Sequence, residues 1–217
     1  MDFPKKFSYK DIFIPFLCII IFLVMYFISN AINPKDYVNF MGGIFGFTNK
    51  WSHTYGPAWF VNINSDISAL GGPTLFILII SFVISMLFVQ YRYKTLSKFL
   101  ITILGSVIFL FILKYVFNSN RPHQFFDVVI SNDLGFPSGH ALMSLVLFYT
   151  ISFITTNRMH DISLRSLINY SAIIIIILIG LSRVLVGAHN PEEVIAGWSA
   201  GIFCIYSTNL LFKRYLH

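Results

Sequence analysis

Charged side chains are scarce in this sequence, at 11% of 217 residues, against about 25% in ordinary soluble domains. Three long stretches, residues 67–91, 99–113 and 194–212, contain no Asp, Glu, Lys or Arg. A soluble helix of such length would carry a polar stripe at 3.6-residue spacing. The scarcity of charge therefore excludes an ordinary soluble protein and indicates a chain embedded in a membrane.

Cysteine is nearly absent, because Cys18 and Cys204 are the only two and both fall in apolar stretches. A disulfide framework is therefore not indicated. The sequence also has no internal repeat, no low-complexity run and no polar segment long enough for a soluble domain. We predict one membrane-embedded domain over residues 1–217.

What the sequence has instead is a series of apolar stretches, each near the ~20 residues that a helix needs to cross the hydrocarbon core. They lie at residues 12–32, 73–90, 99–117, 141–156, 167–186 and 194–212. The first is longer than the apolar core of a signal peptide and lacks a cleavage site, so we interpret it as a retained helix. The sequence thus predicts an all-α bundle of six transmembrane helices.

The basic residues indicate the orientation of the bundle. Most of them lie in the N-terminus, the second loop, the fourth loop and the C-terminus, which share one side if there are six spans: Lys5, Lys6, Lys10, Arg92, Lys94, Lys98, Arg158, Arg165, Lys213 and Arg214. The other side has Lys35, Lys50 and Arg121. Both termini should therefore be cytoplasmic. Most of the formal charge of +6 is explained as a topological signal, and we expect no nucleic-acid partner.

The longest loop, residues 33–72, lies on the outer side and mixes Gly, Trp, Tyr and Phe. This composition is typical of short helices that lie in the membrane interface, where aromatic rings are buried and polar atoms stay wet. We favour such an aromatic belt over a dedicated substrate-binding surface. Asp66, shortly before the second span, is expected to cap that helix.

The remaining ionisable residues gather at the outer ends of the spans. Ionisable groups at such positions are functional candidates by default, and here they come from three distant segments: Lys114 and Arg121, then His140, then Arg183, His189, Glu192 and Glu193. Because all of them fall at one level of the membrane, they predict a site assembled between helices of the bundle.

Three cations at one level can neutralise a dianion, with the arginine forks matching phosphoryl oxygens. In "PSGH", Pro137 suits the first position of a helix, so the following amides would be unpaired at its positive end. Gly139 would let an anion approach the backbone closely. With two histidines beside such a nest, one imidazole can attack phosphorus while the other protonates the leaving oxygen.

Three motifs carry a resemblance to a known family. "KYVFNSNRP" at 114–122, "PSGH" at 137–140 and "SRVLVGAHNPEE" at 182–193 resemble, in order and spacing, the signature of the type 2 phosphatidic acid phosphatase family. Vanadium haloperoxidases share the same superfamily, but six membrane spans argue against their activity here. The resemblance extends over about residues 71–212. It implies dephosphorylation of membrane lipids through a phosphohistidine, without metal or cofactor.

Carried onto this chain, the resemblance implies that His189 is the nucleophile and His140 the general acid. The phosphoryl oxygens would be held by Lys114, Arg121, Ser138, Gly139 and Arg183. Ser182 is expected with equal weight to bond backbone or to contact the phosphate, and His123 has no implied role.

Glu193 departs from the family pattern, which usually has Asp at this position. Either acid can orient the attacking imidazole. Alternatively, Asn190, Pro191 and Glu193 form a capping-box-like helix start. We favour the orienting role and note that one side chain can serve both, whereas Glu192 is assigned to capping alone.

The sequence thus predicts a lipid phosphatase of a bacterial-type inner membrane, with its site facing the periplasm or exterior. Candidate substrates are phosphatidylglycerophosphate, phosphatidic acid, undecaprenyl diphosphate and phosphorylated lipid A, which no residue discriminates. One alternative is a phosphotransferase that passes the phosphoryl group to another lipid. Another is a non-enzymatic transporter with an anion site, although the repeats or broken spans typical of transporters are not evident.

Overall fold

The structure, a computed structural model, describes residues 9–32, 58–118 and 135–215. Seven helices form in these segments, and no strand is present among them: α1 Tyr9–Ala31, α2 Ala58–Ala69, α3 Pro73–Val89, α4 Tyr93–Phe117, α5 Gly139–Thr156, α6 Ile162–Leu185 and α7 Pro191–Tyr215. Six stretches of the described chain are long and apolar enough to cross a membrane. The predicted all-α bundle of six spans is confirmed.

The second span differs most from the sequence prediction. It runs over Trp59–Val89 and consists of α2 and α3, separated by a short turn at residues 70–72. α2 packs against α6, so the end of the predicted outer loop belongs to the bundle. Whether α2 also lies in the membrane interface stays a prediction. Asp66 lies exposed inside α2, so the prediction that it caps the next helix is wrong.

Most helices begin before their apolar stretches, and α4 and α6 do so by the most residues. α6 starts at Ile162 because Asp161 caps it, accepting hydrogen bonds from the amides of Ser163 at 2.8 Å and Leu164 at 3.2 Å. α4 starts at Tyr93, and its first turns carry Lys98, whose Nζ lies 5.6 Å from the centre of the Phe153 ring. Polar turns of this kind continue a helix beyond the part that hydropathy detects.

α5 and α7 form the centre of the bundle, and half of each apolar window is buried. Their backbones approach closely at two glycines of α7. A Cβ added at Gly197 would lie 2.6 Å from the Ser138 carbonyl oxygen, and one at Gly201 would lie 3.1 Å from that of Leu142. Small residues at such crossings are typical of membrane helix pairs.

An aromatic cluster joins the ends of three segments at one face of the bundle. Phe22 and Tyr26 of α1 contact Phe117 at the end of α4 and Phe136 just before α5, with ring centres 4.6–5.4 Å apart. Such edge-to-face pairs fix ring geometry as well as burying area. The cluster therefore anchors the segment that leads into "PSGH". It also places the C-terminal end of α1 at the face where α7 begins.

Candidate active site

His189 lies in the turn between α6 and α7, and its backbone is held by α6. The amides of Ala188 and His189 both donate to the carbonyl of Arg183, at 3.0 and 3.1 Å. Gly187 precedes them with a φ of 69°, a left-handed conformation that glycine adopts without strain. This tight turn folds the chain back onto the end of α6. The backbone of His189 therefore lies next to that of Arg183.

The imidazole of His189 is paired with Glu193 in a buried environment. Nδ1 lies 2.7 Å from Glu193 Oε2, and the two side chains are 1% and 2% exposed. A carboxylate at this nitrogen favours the tautomer with the proton on Nδ1 and leaves the lone pair on Nε2. The pair also stabilises positive charge on the ring.

The same carboxylate oxygen caps α7. The amide of Asn190 donates to Glu193 Oε2 at 3.1 Å, and the carbonyl of Asn190 accepts from the amides of Glu193 and Val194. One oxygen therefore makes both contacts that the sequence offered as alternatives. The longer glutamate side chain reaches back from the first turn of α7 to His189 in the turn that precedes this helix.

Ser138 occupies the N-cap of α5, and its side chain accepts from the Ala141 amide at 3.5 Å. Pro137 therefore precedes the cap, so the prediction that it takes the first helical position is wrong, because the serine competes successfully for the capping role. The Ser138 amide donates to the carbonyl of Glu193 at 3.0 Å. This hydrogen bond joins the "PSGH" segment to α7. Gly139 takes the first helical position of α5, and the N–H at that position has no intrahelical acceptor.

Lys114 lies in the last turn of α4 and is buried, with 7% of its surface exposed. A Cβ added at Gly139 would lie 3.9 Å from Lys114 Cε and 3.2 Å from Leu110 Cδ2. The lysine stem therefore runs past the start of α5, where a Cβ at Gly139 would meet it in ordinary contact and would crowd only Leu110. Arg121 and His123 lie outside the described residues.

Arg183, in the last turn of α6, is held by a residue that the sequence did not indicate. Its Nη1 donates to Ser68 Oγ of α2 at 2.5 Å. The adjacent Ser182 is buried and donates its hydroxyl to the Ile179 carbonyl at 2.8 Å, which is the structural alternative considered for it. His140 lies in the first turn of α5, and its ring faces the turn between α2 and α3 near Gly71.

These contacts bring together six of the eight residues that the sequence assigned to the site. Arg183, His189, Glu193, Ser138, Gly139 and Lys114 follow one another through backbone or side-chain contacts at one end of the bundle. His140 joins the group through its position two residues after Ser138. An oriented imidazole grouped with a buried lysine, a partly buried arginine and a helix N-terminus is suited to nucleophilic attack on a phosphoryl group.

Among the residues that the structure describes, no three His, Cys, Asp or Glu side chains are grouped so that they could hold a metal ion. The carboxylates of the site lie instead in the first turn of α7, at the positive end of its dipole.

Residues 74–216 match the model of the PAP2 superfamily. The chain belongs to the PAP2 superfamily. This match begins near the second span and includes all three sequence motifs, which confirms the family resemblance.

Comparison with individual PAP2 proteins supports the same fold. The chain is 27% identical over 96 residues to phosphatidylglycerophosphatase B of Bacillus subtilis strain 168, an alignment that spans 44% of this chain and 47% of that relative. It therefore covers about half the length of that curated protein.

Among solved structures, the transmembrane PAP2-type phosphatidylglycerolphosphate phosphatase from Bacillus subtilis superimposes with a TM-score of 0.76 at 18% identity. That match covers 96% of this chain and 98% of the other. Aquifex aeolicus LpxE superimposes with a TM-score of 0.50 at 22% identity, over 71% of this chain and 88% of the other. The PAP2 transmembrane fold thus extends over nearly the whole chain, including α1, which the sequence motifs do not reach.

Proposed function

We propose that this PAP2 protein is a lipid phosphatase that hydrolyses a phosphomonoester or diphosphate of a membrane lipid through a phosphohistidine, without a metal. The observation that carries the proposal is the buried His189–Glu193 pair, with Nδ1 2.7 Å from Oε2, beside Arg183. This pair leaves Nε2 as the nucleophilic nitrogen.

In the first step, His189 Nε2 attacks phosphorus and the bond from phosphorus to the lipid oxygen breaks. His140 donates a proton to that leaving oxygen, and Glu193 stabilises the positive charge on the phosphorylated imidazole. Lys114, Arg121 and Arg183 neutralise the phosphoryl oxygens, aided by Ser138 and the Gly139 amide. Charge neutralisation and positioning are the main contributions that a protein makes to phosphoryl transfer.

In the second step, water attacks the phosphohistidine and gives a proton to His140. The bond from phosphorus to Nε2 breaks, and inorganic phosphate leaves. Both histidines then return to their starting protonation states. If an alcohol of a second lipid replaced water, the same intermediate would give a phosphotransferase, so release of inorganic phosphate from one lipid substrate separates the two reactions.

A phosphatidylglycerophosphate headgroup is the first candidate substrate, because both Bacillus subtilis relatives are named for it. Phosphatidic acid, undecaprenyl diphosphate and lipid A phosphates are further candidates. The basic residues of the second and fourth loops support a site at the outer face of the inner membrane.

The test is release of inorganic phosphate by the purified protein from each of the four lipids, with EDTA present. We expect turnover of at least one lipid, unchanged by EDTA, and loss of turnover by more than about 10³-fold in His189→Ala. The thermal unfolding midpoint of the variant in detergent serves as the folding control. Activity that disappears on chelation, or that survives in a folded His189→Ala protein, would contradict the mechanism.

A further inference from the structure

We propose that the end of α2 and the turn that follows it, residues 68–72, form a positioning element for the phosphate site, with Ser68 holding Arg183 and Gly71 making room for His140. The inference deepens the proposed function and rests on it for the roles of Arg183 and His140. It adds residues that lie before the part of the chain matched by the PAP2 family model, which begins at residue 74.

Ser68 contacts Arg183 across 115 residues of sequence, and its Oγ accepts from Nη1 at 2.5 Å. The serine is 5% exposed and lies in the last turn of α2, which packs along α6. A guanidinium is planar, with its donors in a fixed fork. Fixing Nη1 on a buried hydroxyl therefore restricts the plane of the whole group, and with it the direction of the donors that would receive phosphoryl oxygens.

Gly71 acts on the other side of the same turn. A Cβ added there would lie 2.6 Å from Ile179 Cγ2 and 3.1 Å from His140 Cδ2. Both distances are shorter than ordinary contacts, so the Ile179 side chain would have to shift and the imidazole would have to give by a few tenths of an ångström. The turn thus contacts one proposed phosphate ligand through a hydrogen bond and the proposed general acid through close packing. Backbone bonds from Gly71 and Gly72 to Ser68 and Ala69, at 3.0 and 2.9 Å, hold the turn closed.

Kinetics distinguish this positioning role from a purely structural one. We expect Ser68→Ala to lower kcat/KM about tenfold, because a hydrogen bond to a charged group contributes on this scale. Ser65→Ala removes an exposed hydroxyl one turn earlier on α2 and should stay within about twofold of the unaltered protein. Ser68→Thr, which keeps the hydroxyl, should retain more activity than Ser68→Ala.

A double-mutant cycle shows whether Ser68 acts through Arg183. On an Arg183→Lys background, we expect Ser68→Ala to change kcat/KM less than about twofold, since the guanidinium that it orients is gone. An equal loss in both backgrounds, or no loss from Ser68→Ala alone, would overturn the inference.

Gly71→Ala should reduce kcat/KM at least as much as Ser68→Ala, because the added methyl displaces the Ile179 side chain and crowds the His140 ring. Gly105→Ala is its matched control, since a Cβ at Gly105 would meet no atom within 4 Å. Equal activity of the two glycine variants would exclude the packing role of Gly71.

Binding of orthovanadate, an oxyanion of phosphate-like charge and shape, provides a readout without turnover. We expect it to raise the unfolding midpoint of the unaltered protein and of Ser65→Ala, and to raise that of Ser68→Ala less. If no lipid is hydrolysed but this difference appears, the proposed function fails and the inference stands. If lipids are hydrolysed but Ser68→Ala retains both kcat/KM and the vanadate shift, the inference fails and the proposed function stands.

Discussion

Glu193 combines two tasks that are often divided between residues. Its Oε2 lies 2.7 Å from the imidazole of His189 and 3.1 Å from the amide of Asn190. The carboxylate therefore caps the start of α7 and also fixes the tautomer of the imidazole. Because the carboxylate and the imidazole are both buried, loss of the negative charge affects the ring directly and is poorly screened by solvent.

The roles of Glu193 and its neighbour Glu192 can be distinguished by replacing each with Gln. Glu193→Gln keeps the size of the side chain but removes the charge that stabilises the imidazolium, so we expect kcat to fall by about 10²-fold or more. Glu192 lies in the same turn, and Glu192→Gln should lower kcat by less than about threefold. The measurement is steady-state phosphate release at saturating lipid, with unfolding midpoints as the folding control. Small and equal losses in both variants would argue against an orienting carboxylate.

At the scale of helices, the sequence predicted those features that depend on local residue patterns. Apolar stretches identified all six spans, and the spacing of motifs brought His189, Glu193, Ser138 and Lys114 to one end of the bundle. The contact between Ser68 and Arg183 could not be predicted, because a hydrogen bond across 115 residues leaves no local pattern. The signal that was present is a serine three residues before Gly71, close to the start of the second apolar stretch.

Helix boundaries were harder to predict than helices. Asp161 extends α6 by capping it at a position that hydropathy ignores. Ser138 takes the cap of α5, although Pro137 is well suited to the first helical position. In both places a side-chain hydrogen bond determines which residue begins the helix. The apolar pattern alone does not distinguish between these positions.

The crossing of α5 and α7 depends on Gly197. Because a Cβ there would lie 2.6 Å from a backbone oxygen, Gly197→Leu must push the two helices apart. We expect a loss of about 1–3 kcal/mol or more in the free energy of unfolding, the usual cost of overpacking, together with reduced activity because Ser138 moves. Gly105→Leu adds the same side chain where the surroundings are open. Thermal unfolding in detergent should separate the variants, and matching midpoints would show that the crossing tolerates side chains.

At the scale of the whole molecule, the site lies where α4 and α6 end and where α5 and α7 begin. α1 begins and α7 ends at the opposite face. The two ends of the bundle therefore differ. One end contains the candidate active site, and the other contains most of the Lys and Arg. At this second face, partial burial and the nearby charge of Arg158 lower the pKa of Arg92 below its usual value.

The distribution of Lys and Arg predicts the orientation in the membrane, and labelling can measure it. In a protein with Cys18 and Cys204 replaced by Ala, a membrane-impermeant maleimide should label Lys50→Cys in intact cells. Asn157→Cys, in the loop between α5 and α6, should be labelled only after the membrane is opened. The reverse pattern would place the site at the cytoplasmic face and would redirect the search for its substrate.

The hydrogen bond from the Ser138 amide to the Glu193 carbonyl is made entirely by backbone atoms. It joins the segment that carries His140 to the segment that carries His189, and most side-chain substitutions leave its donor and acceptor in place. The backbone positions of the two segments relative to each other therefore do not depend on the identity of either side chain at this contact. Side chains around the site can therefore be exchanged while this backbone link between the two histidine-bearing segments is kept.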